Sequence, residues 1–197
     1  MSYGIQLQDT PDIYKKAPHI LPTRLTAGRL NYLVWDAFGY HSETDDYKLV
    51  VIWNYPDEGV FQAEVFSRRT GSWKVIDKPV PYGCYSRHLA LSLKGEIYWD
   101  ARRDVSGNHI DFIVGFNMVT EDFRMIDLPS RDLSSSCCTV TEYKDSLASL
   151  IVPKFVSWRN YGFELWVMSK EGGGGGGGNR QSWNNVFALK EPLLGIS

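Results

Sequence analysis

A fifty-residue repeat runs through the chain and constrains its fold more than any other feature. The step relates Phe66 to Phe116 and Trp166, and it relates Lys94-Gly95 to Lys144-Asp145. Short apolar runs and turns surround each of these positions. A constant period of this kind indicates stacked β units that share one design.

Each unit reads as four short strands joined by three turns. In the second unit, an alternating run at 88–93 turns through Lys94-Gly95 into a strand at 96–99. A polar loop follows, and a second hairpin is predicted from 111–116 and 123–126. A period near fifty with this design is typical of kelch-like propeller blades. The sequence therefore predicts an all-β fold, a kelch-like β-propeller segment of about three four-stranded blades plus an N-terminal strand region.

Two parts are predicted along the chain. Residues 1–34 form an irregular N-terminal segment interrupted by prolines, and residues 35–197 form one β domain. Near the boundary we expect a strand at 30–35, a turn at 38–46 and a strand at 47–53. The seven glycines Gly172–Gly178 are predicted to be a flexible loop at a hairpin tip, because polyglycine cannot offset its ordering entropy.

Composition and charge argue against several classes of partner. Aromatic residues make up 14% of the chain, which favours β-rich packing and aromatic recognition surfaces. The formal net charge of −2 and the pI near 6.1 give no general attraction to nucleic acid or to anionic lipid. No apolar run approaches membrane-spanning length. We therefore expect neither a nucleic-acid partner nor a membrane partner.

The chemistry-bearing residues are not grouped as catalysis or metal binding requires. Cys84, Cys137 and Cys138 lack the spacing of a disulfide framework or a zinc site, and no signal-peptide pattern precedes them. Cys137 and Cys138 are expected to be buried or semi-buried thiols. The four histidines lack metal-ligand spacing, and no nucleophile elbow or phosphate loop occurs. We expect no enzyme activity, no cofactor and no metal, in a cytoplasmic or nuclear setting.

An ordered set of phrases resembles one known family. The phrases are Phe38-Gly39-Tyr40 with 42–50, then 64–73, then 94–99, then 116–129, and finally 164–168 with Ser182-Trp183. Together they resemble the F-box-associated domain that follows the F-box in many plant F-box proteins, the S-locus F-box group among them. The resemblance spans roughly residues 36 to 190. Ala37 stands where that family usually has glycine, His41 stands where it usually has aspartate, and the F-box itself is absent from the chain.

The resemblance implies a function as well as a fold. It implies a non-catalytic substrate-recognition domain of an SCF-type E3 ubiquitin ligase, which binds a target protein for ubiquitination. The Skp adaptor and the cullin would then be reached through an F-box not present in this chain. The target protein itself is not identified by the resemblance.

Candidate protein-binding residues lie in the connections between strands. Aromatic side chains and arginine are the usual anchors of protein interfaces, and function concentrates in loops on a rigid scaffold. The candidates are Trp53, Tyr55, Tyr85, Arg87, Arg102, Arg103, Trp158, Arg159 and Tyr161. The alternative interpretation is that these are ordinary loops with covered rings. The repeated aromatics, by contrast, are expected to pack inside the blades.

Three other functions are compatible with the sequence. Aromatic-rich β surfaces also stack sugars, so a carbohydrate-binding domain is one alternative, with Trp53 and Trp158 as its test positions. An enzyme on a kelch scaffold, such as a copper oxidase, would need clustered His and Tyr ligands. A kelch-like structural or interaction module is the least specific interpretation. Because three blades cannot close a ring, we expect the isolated chain to be oligomeric, prone to aggregation or dependent on a partner.

Overall fold

The computed structural model describes residues 32–55, 60–81, 90–106, 108–129, 136–153, 160–170 and 181–192. These residues form twelve β-strands and contain no helix. The strands are β1 (Tyr32–His41), β2 (Asp46–Tyr55), β3 (Val60–Ser67), β4 (Ser72–Ile76), β5 (Leu91–Leu93), β6 (Glu96–Val105), β7 (Asn108–Asn117), β8 (Phe123–Asp127), β9 (Ser136–Tyr143), β10 (Ser146–Pro153), β11 (Asn160–Lys170) and β12 (Gln181–Pro192). Within the described ranges, no helix is long and apolar enough to cross a membrane.

Every sheet is an antiparallel meander of consecutive strands. The first sheet has the order β1-β2-β3-β4, the second β5-β6-β7-β8 and the third β9-β10-β11-β12. The prediction of an all-β fold with about three four-stranded blades is confirmed. The N-terminal strands β1 and β2 are half of the first sheet, so they belong to a blade and do not form a separate strand region.

The predicted turn at 38–46 is too long. β1 continues to His41, and the turn occupies only 42–45 before β2 begins at Asp46. The strand persists because its side chains keep a period of two: Trp35 and Ala37 are buried, whereas Phe38 between Ala37 and Gly39 is exposed. The strand therefore ends later than the density of polar turn residues in the sequence predicts.

Tight turns recur at the first hairpin of the second and third sheets. Lys94 and Gly95 have φ of 48° and 78°, and Lys144 and Asp145 have φ of 47° and 55°. Two consecutive residues with positive φ are the mark of a type I′ turn, whose twist matches that of a two-residue hairpin. The fifty-residue repeat therefore preserves turn geometry even where aspartate replaces glycine.

Two hydrophobic cores lie between successive sheets. The first core joins the first and second sheets and includes Trp35 and Trp99, whose rings stack with centroids 5.6 Å apart. The second core joins the second and third sheets and includes Tyr98 and Ile113. Tyr98 and Trp99 are consecutive in β6, so their side chains point to opposite faces of the second sheet. One face packs on the first sheet and the other packs on the third. β1 contacts β5 and β5 contacts β9, so the first strands of successive sheets adjoin.

The repeated aromatics pack within the sheets, as expected. Phe66 and Trp73 are cross-strand neighbours with ring centroids 5.5 Å apart, and Phe116 and Phe123 repeat this pair at 4.8 Å. In the third sheet Trp166 and Trp183 both pack against the second core, but they are not cross-strand neighbours of each other. A bulge between Leu165 and Trp166 and the longer connection place Met168 opposite Trp183 instead.

Two predictions concern residues outside the described ranges. Residues 1–31 and Gly172–Gly178 are not described, so the irregular segment 1–34 and the flexible glycine loop stay predictions. Cys84 also lies outside the described residues, and of Cys137 only the backbone is described. The Cys138 side chain is buried, which confirms that part of the cysteine prediction.

Candidate protein-binding rim

Strand order divides the ends of the sheets into two rims. In an antiparallel four-strand meander, the turn between the second and third strands lies at the opposite end from the other two turns. We name the end that holds the β2–β3, β6–β7 and β10–β11 connections the connection rim. The chain also leaves β4 and β8 at this end to enter the next sheet, and the remaining hairpin turns form the opposite, turn rim.

The predicted binding residues within the described strands fall at the connection rim. Trp53 and Tyr55 lie at the end of β2, Arg102 and Arg103 lie in the last part of β6, and Tyr161 is the second residue of β11. The other candidates, Tyr85, Arg87, Trp158 and Arg159, lie outside the described residues. Two connections contain these candidates. Residues 81 and 90 are the described ends of the first connection, residues 153 and 160 are those of the second, and all four lie at this same rim. A binding role for the set stays a prediction.

A two-stranded hairpin projects from the second sheet at the connection rim. β5 pairs with β6 only over 96–98, and β8 pairs with β7 only over 112–116. Beyond these pairings the ladder continues between Arg102–Val105 and Asn108–Asp111 alone. We call these two segments the projecting hairpin. The polar loop predicted here is wrong, because cross-strand pairing holds polar residues in extended backbone.

Arg102 is fixed inside the projecting hairpin by a two-pronged ion pair. Its Nε and Nη2 donate to Asp111 Oδ1 and Oδ2 at 2.5 and 2.9 Å. The Arg102 side chain is 29% exposed and that of Asp111 only 8%. Such bidentate pairs orient the guanidinium strongly. Arg102 therefore stiffens the hairpin, and its side chain stays partly exposed.

The exposed surface of the projecting hairpin combines a cation with an apolar side chain. Arg103 is exposed and its Cζ lies 6.0 Å from the centroid of the Phe112 ring, which restricts where the guanidinium can go. Its cross-strand neighbour Ile110 is 40% exposed, and His109 is exposed beside it. An arginine next to an exposed aliphatic group suits contact with a protein surface that is partly apolar and partly acidic.

The candidates on β2 are less accessible. Tyr55 is only 6% exposed and Trp53 is half-buried. Burial raises the pKa of Glu64, and the hydrogen bond from Trp53 to this carboxylate opposes the rise. Trp53 is thus engaged with Glu64 of the neighbouring strand. Val60, which pairs with Tyr55 at this rim, is 44% exposed.

Sequence reasoning missed Ile110, His109 and Val60. Each lies in a segment that the sequence predicts to be a polar loop or the end of a strand. Alternation at period two could have indicated them, since Ile110 and Phe112 are separated by a single polar residue. The exposure of Ile110 comes from the projection of the hairpin, which depends on how short β5 and β8 are.

The turn rim is occupied by contacts between sheets. Lys48 Nζ donates to the Met118 carbonyl oxygen at 2.6 Å and to Glu121 Oε1 at 2.8 Å, and Lys74 Nζ donates to Glu121 Oε2 at 2.6 Å. Burial opposes ionisation of Glu121, but these two ammonium groups outweigh it and hold the pKa of this carboxyl below its ordinary value. We call the contacts of Lys48, Lys74 and Glu121 the clamp. The clamp fixes the first sheet against the second.

No metal site accompanies these contacts. In the part of the chain that the structure describes, no group of three or more His, Cys, Asp or Glu side chains is placed to hold a metal ion.

These features define a class of protein: a β-propeller-type domain with stacked four-stranded sheets. The profile of the F-box associated beta propeller domain family matches residues 18–196. The chain therefore belongs to that family, and the resemblance carried by its ordered phrases is confirmed.

The curated relatives include several plant F-box proteins. F-box protein At5g42460 of Arabidopsis thaliana is 29% identical over 98% of this chain and 51% of its own length. Putative F-box protein At5g41510 of the same plant is 28% identical over 58% of this chain and 29% of its own length. The chain thus spans about half or less of the curated relatives it matches. No solved structure matches the chain.

Proposed function

We propose that the chain is a substrate-recognition domain of an SCF-type E3 ubiquitin ligase, which binds a target protein for ubiquitination. Membership in the F-box associated beta propeller family, among relatives named as F-box proteins, is the observation that carries this proposal. The architecture is consistent with a binding role, because rigid stacked sheets display their connections at one rim.

The proposed mechanism is proximity. The domain contributes binding energy that holds the target, and the ligase transfers ubiquitin to a lysine that is thereby kept nearby. Skp and cullin would join through an F-box, and the complex would act in the cytoplasm or the nucleus. The chain itself breaks and forms no bond in this scheme.

We propose the projecting hairpin as the part of the connection rim that contacts the target. Arg103 would pair with acidic groups of the target, and Ile110 would pack against its apolar surface. The Arg102–Asp111 pair would hold the hairpin in place, so binding would cost little ordering entropy.

A paired-variant capture experiment tests the proposal. The wild-type chain and the double variant Arg103→Glu/Ile110→Asp would be used to capture proteins from Arabidopsis extract with the proteasome inhibited. The matched control is Arg69→Glu/Val119→Asp, which changes an exposed arginine and an exposed aliphatic residue at the turn rim. We expect one recurrent target to be lost with the first variant and kept with the control.

The target must also behave as a ubiquitination substrate. When the chain is joined to an F-box in cells, the ubiquitinated fraction of the target should fall with the first variant and should stay unchanged with the turn-rim control. A captured protein whose ubiquitination and abundance do not respond to either variant would contradict the ligase role, even if it binds the rim.

A further inference from the structure

Ser106 lies at the tip of the projecting hairpin. β6 ends at Val105 and β7 begins at Asn108, so Ser106 belongs to the two-residue turn between these strands. Its φ is 51°, in the left-handed region, and its side chain is exposed. Exposed tips of this kind are where proteases and other modifying enzymes reach a folded chain most easily. The Ser106 hydroxyl is therefore open to an enzyme that approaches from solvent.

Two arginines precede Ser106 at a spacing that one class of protein kinase selects. Arg103 stands three residues before the serine, and Arg102 stands four residues before it. Arg102 is held by Asp111, whereas the Arg103 side chain is exposed. Kinases choose their substrates in large part by the charges around the acceptor residue, and the basophilic class takes serines that follow arginine at this distance.

The same spacing occurs a second time, at the turn between β3 and β4. There Arg68 and Arg69 stand four and three residues before Ser72, whose side chain is also exposed. The sequence pattern alone therefore does not distinguish Ser72 from Ser106. The two serines differ in the contacts that hold their turns.

The turn before Ser72 is tied to the body of the first sheet. Asp46, 2% exposed, accepts from Ser67 Oγ at 2.7 Å and from the Arg69 backbone N–H at 2.9 Å. The hydroxyl oxygens of Thr70 and Ser72 lie 2.8 Å apart and form a hydrogen bond. A kinase must seat the acceptor segment in its own active site, which requires a tight turn to open locally. At Ser72 this opening breaks several buried and part-buried contacts.

The hairpin that carries Ser106 has less to hold it closed. β5 pairs with β6 only over 96–98, and β8 pairs with β7 only over 112–116. Among the described strands, the ends of β6 and β7 next to Ser106 are therefore paired only with each other. Local opening of an outlying two-stranded segment costs less free energy than opening of a turn that is tied into a sheet. The fold thus favours Ser106 over Ser72 as an acceptor.

We propose that Ser106 is a phosphorylation site for a basophilic protein kinase, and that its phosphate weakens binding of the target at the projecting hairpin. The second part rests on the function proposed above. In the reaction, Ser106 Oγ forms a bond to the γ-phosphorus of ATP, and the bond from that phosphorus to the ADP oxygen breaks. The hydroxyl proton passes to a base of the kinase, and ADP leaves.

The phosphate would act on Arg103 through its charge. The backbone positions of Ser106 and Arg103 are about 10 Å apart, because a strand rises about 3.3 Å per residue. This distance is about one Debye length at ~0.1 M salt. A phosphoserine carries a charge of about −1.5 to −2 at pH 7, so it lowers the positive potential around Arg103. An acidic segment of the target is then attracted less.

Phosphorylation of the folded chain tests the site without any target. The chain would be incubated with ATP and the catalytic subunit of cAMP-dependent protein kinase, which belongs to the basophilic class, and the phosphate would be located by tandem mass spectrometry. We expect Ser106 to be modified at least tenfold faster than Ser72. Ser106→Ala should abolish the Ser106 signal, and Arg103→Gln should slow the reaction at least tenfold.

Two peptides separate the effect of the fold from that of the sequence. Peptides of residues 65–75 and 99–110 carry the same arginine spacing and should be phosphorylated at similar rates. Equal modification of Ser72 and Ser106 in the folded chain would overturn the proposal, and so would the absence of phosphate from Ser106. A peptide of 65–75 that stays unmodified would also overturn it, because the sequence and not the fold would then make the choice.

Target capture tests the effect of the phosphate. The chain phosphorylated at Ser106 should recover the recurrent target at least threefold less than the unmodified chain, and Ser72→Glu should recover it equally. Suppose that Arg103→Glu/Ile110→Asp loses the target and the phosphorylated chain does not. The regulatory role would then be overturned and the proposed function would stand. A chain that is phosphorylated at Ser106 and captures no target through the hairpin would overturn both.

Discussion

Lys48 Nζ lies 2.8 Å from Glu121 Oε1, although 73 residues separate the two in sequence. The Lys48 side chain is 11% exposed and that of Glu121 is 16% exposed. A nearly buried ion pair between two sheets contributes mainly by fixing their relative position, because loss of one partner leaves the other charge poorly solvated. This pair and its neighbours hold the first sheet on the second.

Lys48→Met should destabilise the protein much more than Lys74→Met. Both lysines pair with Glu121, but the Lys74 side chain is 68% exposed. We expect a loss of about 2–3 kcal/mol in the free energy of unfolding for Lys48→Met, because the nearly buried Glu121 carboxylate loses one of its two lysine partners. For Lys74→Met we expect less than about 0.5 kcal/mol. Urea denaturation at one protein concentration measures both, and equal losses would contradict the clamp.

Acid should weaken this clamp. The pKa of Glu121 is lowered in the folded protein: burial opposes ionisation, but hydrogen bonds from Lys48 and Lys74 outweigh it. A lowered folded pKa means that the contribution to stability is present above the unfolded value and is lost as pH falls through the folded one. Wild-type stability should therefore fall below about pH 4.5. Glu121→Gln should be less stable at pH 7 and should show a flatter acid limb, and an unchanged limb would argue against the assignment.

Glu64→Gln should have the opposite effect. Burial raises the pKa of Glu64, with the hydrogen bond from Trp53 opposing the rise. The neutral carboxyl is therefore favoured by folding, and its contribution is present below the unfolded pKa and is lost as pH rises through the folded value. Glutamine stays neutral and can still accept from Trp53. The variant should be more stable than the wild type at pH 7 and about equal at pH 4 by thermal denaturation. Lower stability at pH 7 would contradict this interpretation.

Gly95→Ala and Gly71→Ala form a matched pair. Both glycines have positive φ, 78° and 62°. A Cβ on Gly95 would meet the His41 ring, which Thr44 holds by a 2.9 Å hydrogen bond, whereas a Cβ on Gly71 meets nothing within 4 Å. Gly71→Ala should cost about 1 kcal/mol from backbone strain alone. Gly95→Ala should cost about 2–3 kcal/mol, because a clash between sheets adds to that strain. Similar losses of stability in the two variants would contradict the position of the His41 ring beside Gly95.

The repeat predicted the fold well because it encodes local structure. The spacing of Phe66 and Trp73 is that of two strands joined by a short turn, and the repeated turn at Lys94-Gly95 fixes the hairpin register. Family phrases then placed these hairpins in order. Local pattern and register agree at these hairpins, which is why the sheet count could be predicted, although the turn at 38–46 and the polar loop before β7 were predicted wrongly.

The candidate site was predicted less well. Arg102 and Arg103 were identified, but their place on a projecting hairpin depends on where β5 and β8 stop, which is a property of the neighbouring strands. The exposure of Ile110 follows from the same projection. Lys48 and Glu121 meet only through the packing of two sheets, and no spacing rule links residues so far apart. Tyr55 was expected at a binding surface, and its burial comes from the packing around it.

Binding of a ubiquitination target through the connection rim is the central claim, and differential capture tests it most directly. The measured quantity is the amount of each protein recovered with the wild type, with Arg103→Glu/Ile110→Asp and with the turn-rim control Arg69→Glu/Val119→Asp. We expect one recurrent target, recovered at least tenfold less with the projecting-hairpin variant and equally with the control. The ubiquitination of this target should fall in parallel when the same variant is joined to an F-box in cells. Equal recovery of every protein by all three chains, each folded by circular dichroism, would contradict it.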